Sequence, residues 1–123
     1  MRLILASASP RRAELLRAAG YDFEVIVADV DEQVRRGEPP REYVRRLAVE
    51  KAARVFERLA PDTRQGGALV IAADTSVIVD DDILGKPADP AAAAQMLRRL
   101  SGRRHVVMTG VAFCAAHFRH DLV

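Results

Sequence analysis

Asp74 is the residue in this 123-residue chain most suited to general-base or metal chemistry. It ends a six-residue apolar run, ALVIAA (68–73), whose unbroken character predicts a strand covered on both faces. Ligands in open α/β sheets bind at the carboxyl ends of strands, so a carboxylate there reads as functional, with the Thr75 hydroxyl beside it. A plainer reading also fits: Asp-Thr caps a turn. Lys51 falls four residues after Leu47 and four before Val55, inside the apolar stripe of a long helix. Either its stem lies along the core while the ammonium reaches water, or the ammonium points into a cleft that takes an anion. Near the start, Ser7 and Ser9 precede Pro10, Arg11 and Arg12. Ser9 as N-cap and Pro10 in the first turn open a helix, whose N-terminal amides and dipole attract anions. Arginine meets phosphate with two parallel hydrogen bonds, although a capped helix with two solvated arginines also satisfies these letters.

Asp31 and Glu32 add carboxylates in an acidic loop. Alone they read as solvated; with Asp74 they could hold a hard divalent cation, which takes one or two carboxylates plus phosphate oxygens. Lys86 sits between Gly85 and Pro87 in a constrained loop. Of nineteen basic residues seventeen are arginine, so Lys51 and Lys86 stand where a compact ammonium serves better than a planar fork. Phosphate-binding cations beside metal-binding carboxylates point to a nucleotide or another polyphosphate. His105, His117 and His120 make no convincing site, and neither a GxxxxGK[ST] loop nor a GxGxxG loop is present.

The elements that position these residues follow from pattern and punctuation. Strands are predicted at 2–6, 22–27, 68–73 and 105–115, while 76–80, the acidic turn 80–82 and 83–85 read as a hairpin or a sharp excursion. Helices are predicted at 10–19, 40–60 and from Pro90 to Leu100, with Gly20 and Ser101-Gly102 as stops. Alternating strands and helices give an α/β class with a largely buried sheet in a single domain, 1–123.

Composition narrows the function classes. The sequence has no apolar run near the ~18 residues a bilayer crossing needs, and Met1 leads into a strand-like segment rather than a secretory signal, so no membrane role is expected. One cysteine, Cys114, excludes an internal disulfide and a thiolate zinc site, making the cytoplasm the default compartment. A net charge of +2 does not suggest a nucleic-acid binder, despite arginine pairs beginning at 11, 35, 45, 98 and 103.

Six segments in register, LILASASPRR (3–12), DVDE (29–32), YVRRLAVEKA (43–52), IAADTSV (71–77), LGKP (84–87) and AAQMLRRLSGRRHVVMTGV (93–111), resemble the Maf family of nucleoside triphosphate pyrophosphatases. The resemblance implies a Maf/ITPase-like mixed sheet flanked by helices around a central cleft. It implies hydrolysis of a nucleoside triphosphate to a monophosphate and pyrophosphate with Mg2+ or Mn2+, in the removal of non-canonical nucleotides, with a family link to restraint of septum formation. On that basis Asp74 is the proton acceptor and, with Glu32, the metal side. Ser7, Ser9, Arg12, Lys51 and Lys86 bind substrate, with Arg11 and Thr75 at specificity positions. Arginine and threonine at those two places resemble the dTTP/UTP-type branch; a sibling branch acting on 7-methyl-GTP carries an aromatic residue and glutamine there. The family continues past the TGV strand into a segment like EPxDKAGAYGIQG, absent here, so the chain reads as a Maf-like domain lacking its C-terminal part. That leaves an inactive regulator as the alternative, and leaves a homodimer open.

Overall fold

The computed structural model describes residues 2–123. In chain order the elements are β1 (Leu3–Leu5), α1 (Pro10–Ala18), β2 (Glu24–Val25), α2 (Pro40–Arg58), α3 (Pro61–Gln65), β3 (Leu69–Val79), β4 (Asp82–Leu84), α4 (Pro90–Leu100), β5 (Val106–Ala115) and β6 (Phe118–Leu122). They form a six-stranded mixed sheet, ordered β2-β1-β3-β5-β6, with β4 hairpinned onto β3. β1 runs parallel to β2 and β3, whereas β3, β5 and β6 are successively antiparallel.

The helix boundaries follow from local chemistry. Ser9 Oγ accepts from the Arg12 amide at 3.3 Å, and Asp89 Oδ1 accepts from the Ala92 amide at 2.7 Å, each satisfying a donor with no partner inside the helix. α2 carries the apolar stripe expected of it and buries Tyr43, Val44, Leu47, Ala48, Ala52, Val55 and Phe56. This stripe packs on one face of β3, where Val70, Ala72 and Ile78 alternate with Leu69, Ile71 and Val77 on the other. The approach is close at one point: a Cβ on Gly110 of β5 would lie 2.4 Å from the Val44 carbonyl oxygen, so only glycine lets α2 down onto the sheet there.

Five expectations change. Asp74 does not close a strand: β3 is one 11-residue strand that runs through it, because β5 stays paired from Val70↔Cys114 to Ile78↔Val106. What ends near Asp74 is the parallel partner, since β1 pairs only as far as Leu5↔Ile71. The strand is also less covered than its apolar run suggests, with Ile71 and Ala73 only half-buried. Residues 22–27 supply only the two-residue β2, the break after α2 contains the short α3, and the tail folds back as β6. The acidic turn is as expected: Asp80 and Asp81 take φ of 51° and 65° in a two-residue hairpin loop, the left-handed pair that such hairpins need. Among the described residues no helix is long and apolar enough to cross a membrane.

Candidate active site

The end of β1 leads into Ala6–Ser9 and the mouth of α1, while the loop after β2 and the middle of α2 close in from the other side. Between them is a cleft of about 420 Å3 lined by Ser7, Ser9, Arg12, Glu32, Lys51 and Lys86, among others. A recess of about 460 Å3 adjoins it, sharing Glu32 and Lys86 as walls and bounded by Asp74, Thr75, Ser76 and Tyr43. Seven of the expected site residues thus line these two adjoining cavities, with Thr75 at the edge.

Lys51 is the hinge of this arrangement. Its ammonium donates to Asp74 Oδ1 at 3.0 Å and lies 3.2 Å from Glu32 Oε1. Of the two readings of Lys51, the cleft-facing one is observed: the side chain is only 17% exposed and ends on carboxylates. Asp74 sits on the same face of β3 as Val70 and Ala72, under α2, which is why a helix residue 23 positions away can reach it. Two carboxylates on one ammonium are two hard oxygen donors converging on a cation. No group of three or more His, Cys, Asp and Glu residues that could hold a metal occurs among the described residues. That donor set fits a magnesium-like ion that takes its remaining ligands from water and phosphate rather than from a protein cage.

The first loop is tightly organised. Ser7 is buried, and its Oγ accepts from the Ser9 amide at 3.1 Å. Arg12 reaches across the sheet: Nη1 donates to the Ala73 carbonyl at 3.0 Å and Nη2 to Thr75 Oγ1 at 3.1 Å. Thr75 Oγ1 also lies 2.9 Å from Thr109 Oγ1 on β5. Arg12 therefore ties the N-terminal mouth of α1 to the strand that carries Asp74. Arg11 does not line the cleft. It borders a separate, largely apolar pocket of about 610 Å3 with Leu15, Ile71, Thr75 and Val111. The two positions that the resemblance links to specificity, Arg11 and Thr75, both border that pocket, and Thr75 also borders the recess beside the cleft.

Reasoning from the letters passed over Tyr43, Ser76 and Arg46. Ser76 is buried one alternation beyond Asp74 on the same face. Tyr43 is buried with its hydroxyl donating to the Glu32 carbonyl at 2.5 Å. Burial, together with the charges of Asp74 and Glu32, raises its hydroxyl above the ordinary tyrosine value. The signal for Tyr43 and Arg46 was their i, i+3 spacing within the YVRRLAVEKA segment, which puts both on one side of α2.

The family model described as Maf-like protein matches residues 2–122. The dTTP/UTP pyrophosphatase of Symbiobacterium thermophilum is 54% identical over 89% of this chain and 54% of its own length. That of Syntrophus aciditrophicus is 54% identical over 89% of this chain and 50% of its own, and that of Hahella chejuensis 50% identical over 94% and 56%. The chain spans about half the length of the curated relatives it matches. Among solved structures, a nucleoside-triphosphatase / dITP/XTP pyrophosphatase from Mycobacterium abscessus superposes with a TM-score of 0.54 at 17% identity, covering 99% of this chain and 69% of that one, which shows a shared fold. With the family's model matched along almost the whole chain and a mixed sheet of that architecture behind the match, this chain belongs to the Maf-like protein family.

Proposed function

We propose that this chain carries the nucleotide site of a nucleoside triphosphate pyrophosphatase acting on dTTP and UTP in the cytoplasm. The single observation that carries the reading is the Lys51 ammonium set between Asp74 and Glu32 at the mouth of α1. The names of relatives about 50% identical support the substrate class.

In this reading the triphosphate lies along the cleft with its charge against Ser7, Ser9, Arg12, Lys51 and Lys86, while Arg11 and Thr75 face the base side. Water attacks the α-phosphorus and the bond to the bridging oxygen breaks. The water oxygen stays on the monophosphate and the bridging oxygen leaves with pyrophosphate. Asp74 orients that water and takes its proton on a carboxylate oxygen. Lys51 engages Asp74 Oδ1 in the free protein and turns to the phosphates once they arrive. Glu32 and Asp74 would hold a Mg2+ or Mn2+ ion, which when bound would supply charge compensation for the departing pyrophosphate.

Pyrophosphate release with dTTP, UTP and 7-methyl-GTP tests the reading. Turnover of the two pyrimidine nucleotides at least tenfold above 7-methyl-GTP is expected; the reverse preference moves the chain to the sibling branch. Asp74→Asn lowers kcat by about 10^2–10^4 with nucleotide affinity held within a few-fold. An Asp74→Asn variant that turns over normally refutes the assignment.

A further inference from the structure

From Ile26 to Pro39, between β2 and α2, the chain forms neither helix nor strand. Its carbonyls are held instead by side chains of α2, along which it runs antiparallel. Arg58 Nη1 donates to the Val27 carbonyl and Arg54 Nη1 to that of Asp29, both at 3.2 Å. Further along, the Tyr43 hydroxyl donates to the Glu32 carbonyl at 2.5 Å and Arg46 Nη2 to that of Gln33 at 3.0 Å. The last two grips fall on Glu32 and the residue after it, and they are the most buried: Tyr43 is 7% exposed and the Arg46 side chain 13%.

Arg46 is itself locked. Nε and Nη2 form a fork onto Glu38 at 2.7 and 2.9 Å, Nη1 reaches Glu50 at 3.4 Å, and the guanidinium stacks over the Tyr43 ring at 5.6 Å. Glu38 also accepts from the Arg35 amide at 3.1 Å, closing the far end of the loop. The fork is strong enough to hold the Glu38 carboxyl at about 2, well below the usual carboxylate range. The Glu32 side chain, by contrast, is 53% exposed, and the Lys51 ammonium meets its carboxylate at 3.2 Å.

We infer that Tyr43 and Arg46 are positioning residues: by holding the carbonyls of Glu32 and Gln33 they set the Glu32 carboxylate opposite Asp74, at the place a divalent cation takes. The inference rests on Glu32 serving the metal side in the reading above. Neither residue needs to touch substrate or metal. Phenylalanine at 43 leaves the Glu32 carbonyl without its donor. Lysine at 46 cannot make the fork and the carbonyl bond together.

The test is a double-mutant cycle read by Mn2+ binding to the full chain, following the free-ion signal in electron paramagnetic resonance. Tyr43→Phe is expected to weaken Mn2+ binding about five- to tenfold, the equivalent of one hydrogen bond. Glu32→Gln weakens it more, and Tyr43→Phe adds nothing once Glu32 is Gln. Arg46→Lys behaves likewise; should that variant not fold, the tyrosine cycle decides alone. Arg54→Lys and Arg58→Lys, which grip the loop away from Glu32, stay within twofold of the parent. Additive losses, an equal loss in the Arg54 and Arg58 variants, or no saturable Mn2+ binding by the parent overturns the inference. Pyrophosphate release is scored separately: a parent that shows the coupled Mn2+ cycle but releases no pyrophosphate supports the positioning and overturns the functional reading.

Discussion

Replacing Gly110 with alanine tests whether the approach of α2 to the sheet sets the site. The new methyl would lie 2.4 Å from the Val44 carbonyl oxygen, 2.6 Å from its carbonyl carbon and 3.0 Å from the Arg45 amide nitrogen. Ordinary contact begins near 3.4 Å, so helix and strand must part by about 1 Å. Neither side yields readily: Gly110 lies within nine paired positions of β3 and β5, and α2 is 19 residues long and packed along its stripe. Overpacking of this kind costs about 1–3 kcal/mol, and backbone on both sides puts this case near 3. For a chain of this size that lowers Tm by roughly 10 °C. The same displacement reaches the chemistry, because Gly110 pairs with Asp74 across the strands while Val44 lies on the helix that carries Lys51. Parting by about 1 Å takes the 3.0 Å Lys51–Asp74 bond out of hydrogen-bonding range. Thermal denaturation followed by circular dichroism reads the first effect, and pyrophosphate release at 20 °C, well below either melting point, reads the second. Gly85→Ala is the control: nothing lies within 4 Å of the added methyl, so its stability should stay within about 0.5 kcal/mol of the parent. A Gly110→Ala variant that melts within 3 °C of the parent refutes the argument that this glycine admits the helix.

Two further outcomes follow from particular contacts. Glu38→Gln removes the anion of the buried Arg46 fork and is expected to cost about 2–3 kcal/mol at pH 7. Because folding lowers the Glu38 pKa from 4.5 to about 2, its stabilisation is complete above about pH 4.5 and disappears as the pH falls towards 2. Urea midpoints of parent and variant should therefore converge across that window, and midpoints that stay equally far apart contradict the ion pair. Thr75→Val keeps the shape but removes the acceptor for Arg12 Nη2 and the partner of Thr109 Oγ1. Stability should change by less than about 1 kcal/mol, while the ratio of kcat/KM for dTTP against 7-methyl-GTP shifts several-fold; an unchanged ratio removes Thr75 from base selection.

Local signals located most of the helices and the cleft's contributors, and their success has a physical basis. Ser9-Pro10 and Asp89-Pro90 act within one helical turn, so their effect is written in adjacent letters. The stripe on α2 needs only the helical period. Tertiary pairing was less legible. That β3 passes straight through Asp74 depends on β5, more than 30 residues later, remaining in register beside it. The stretch 28–40 reads as an acidic, polar loop, yet the path of the chain from Ile26 to Pro39 is set by donors spread from Tyr43 to Arg58. Nothing in the loop's own sequence names those partners.

The misplaced strand end bears directly on how the site is built. Had Asp74 closed its strand, it would sit on a turn, free to move with a loop. In the middle of β3 it has antiparallel pairing on the β5 side and lies just past the reach of β1 on the other. Where β1 stops, the sheet opens into the cleft, and the serines that follow β1 enter the mouth of α1 at that gap. One strand ending beside another that continues thus places a rigid carboxylate against the space where a charged ligand can lie. Glu32 is the opposite case, a carboxylate on a loop without regular structure. The two can serve one cation only if something confers on Glu32 the rigidity that Asp74 draws from the sheet, and α2 is placed to do so through its grips on the Glu32 and Gln33 carbonyls and the Lys51 ammonium 3.2 Å from the carboxylate.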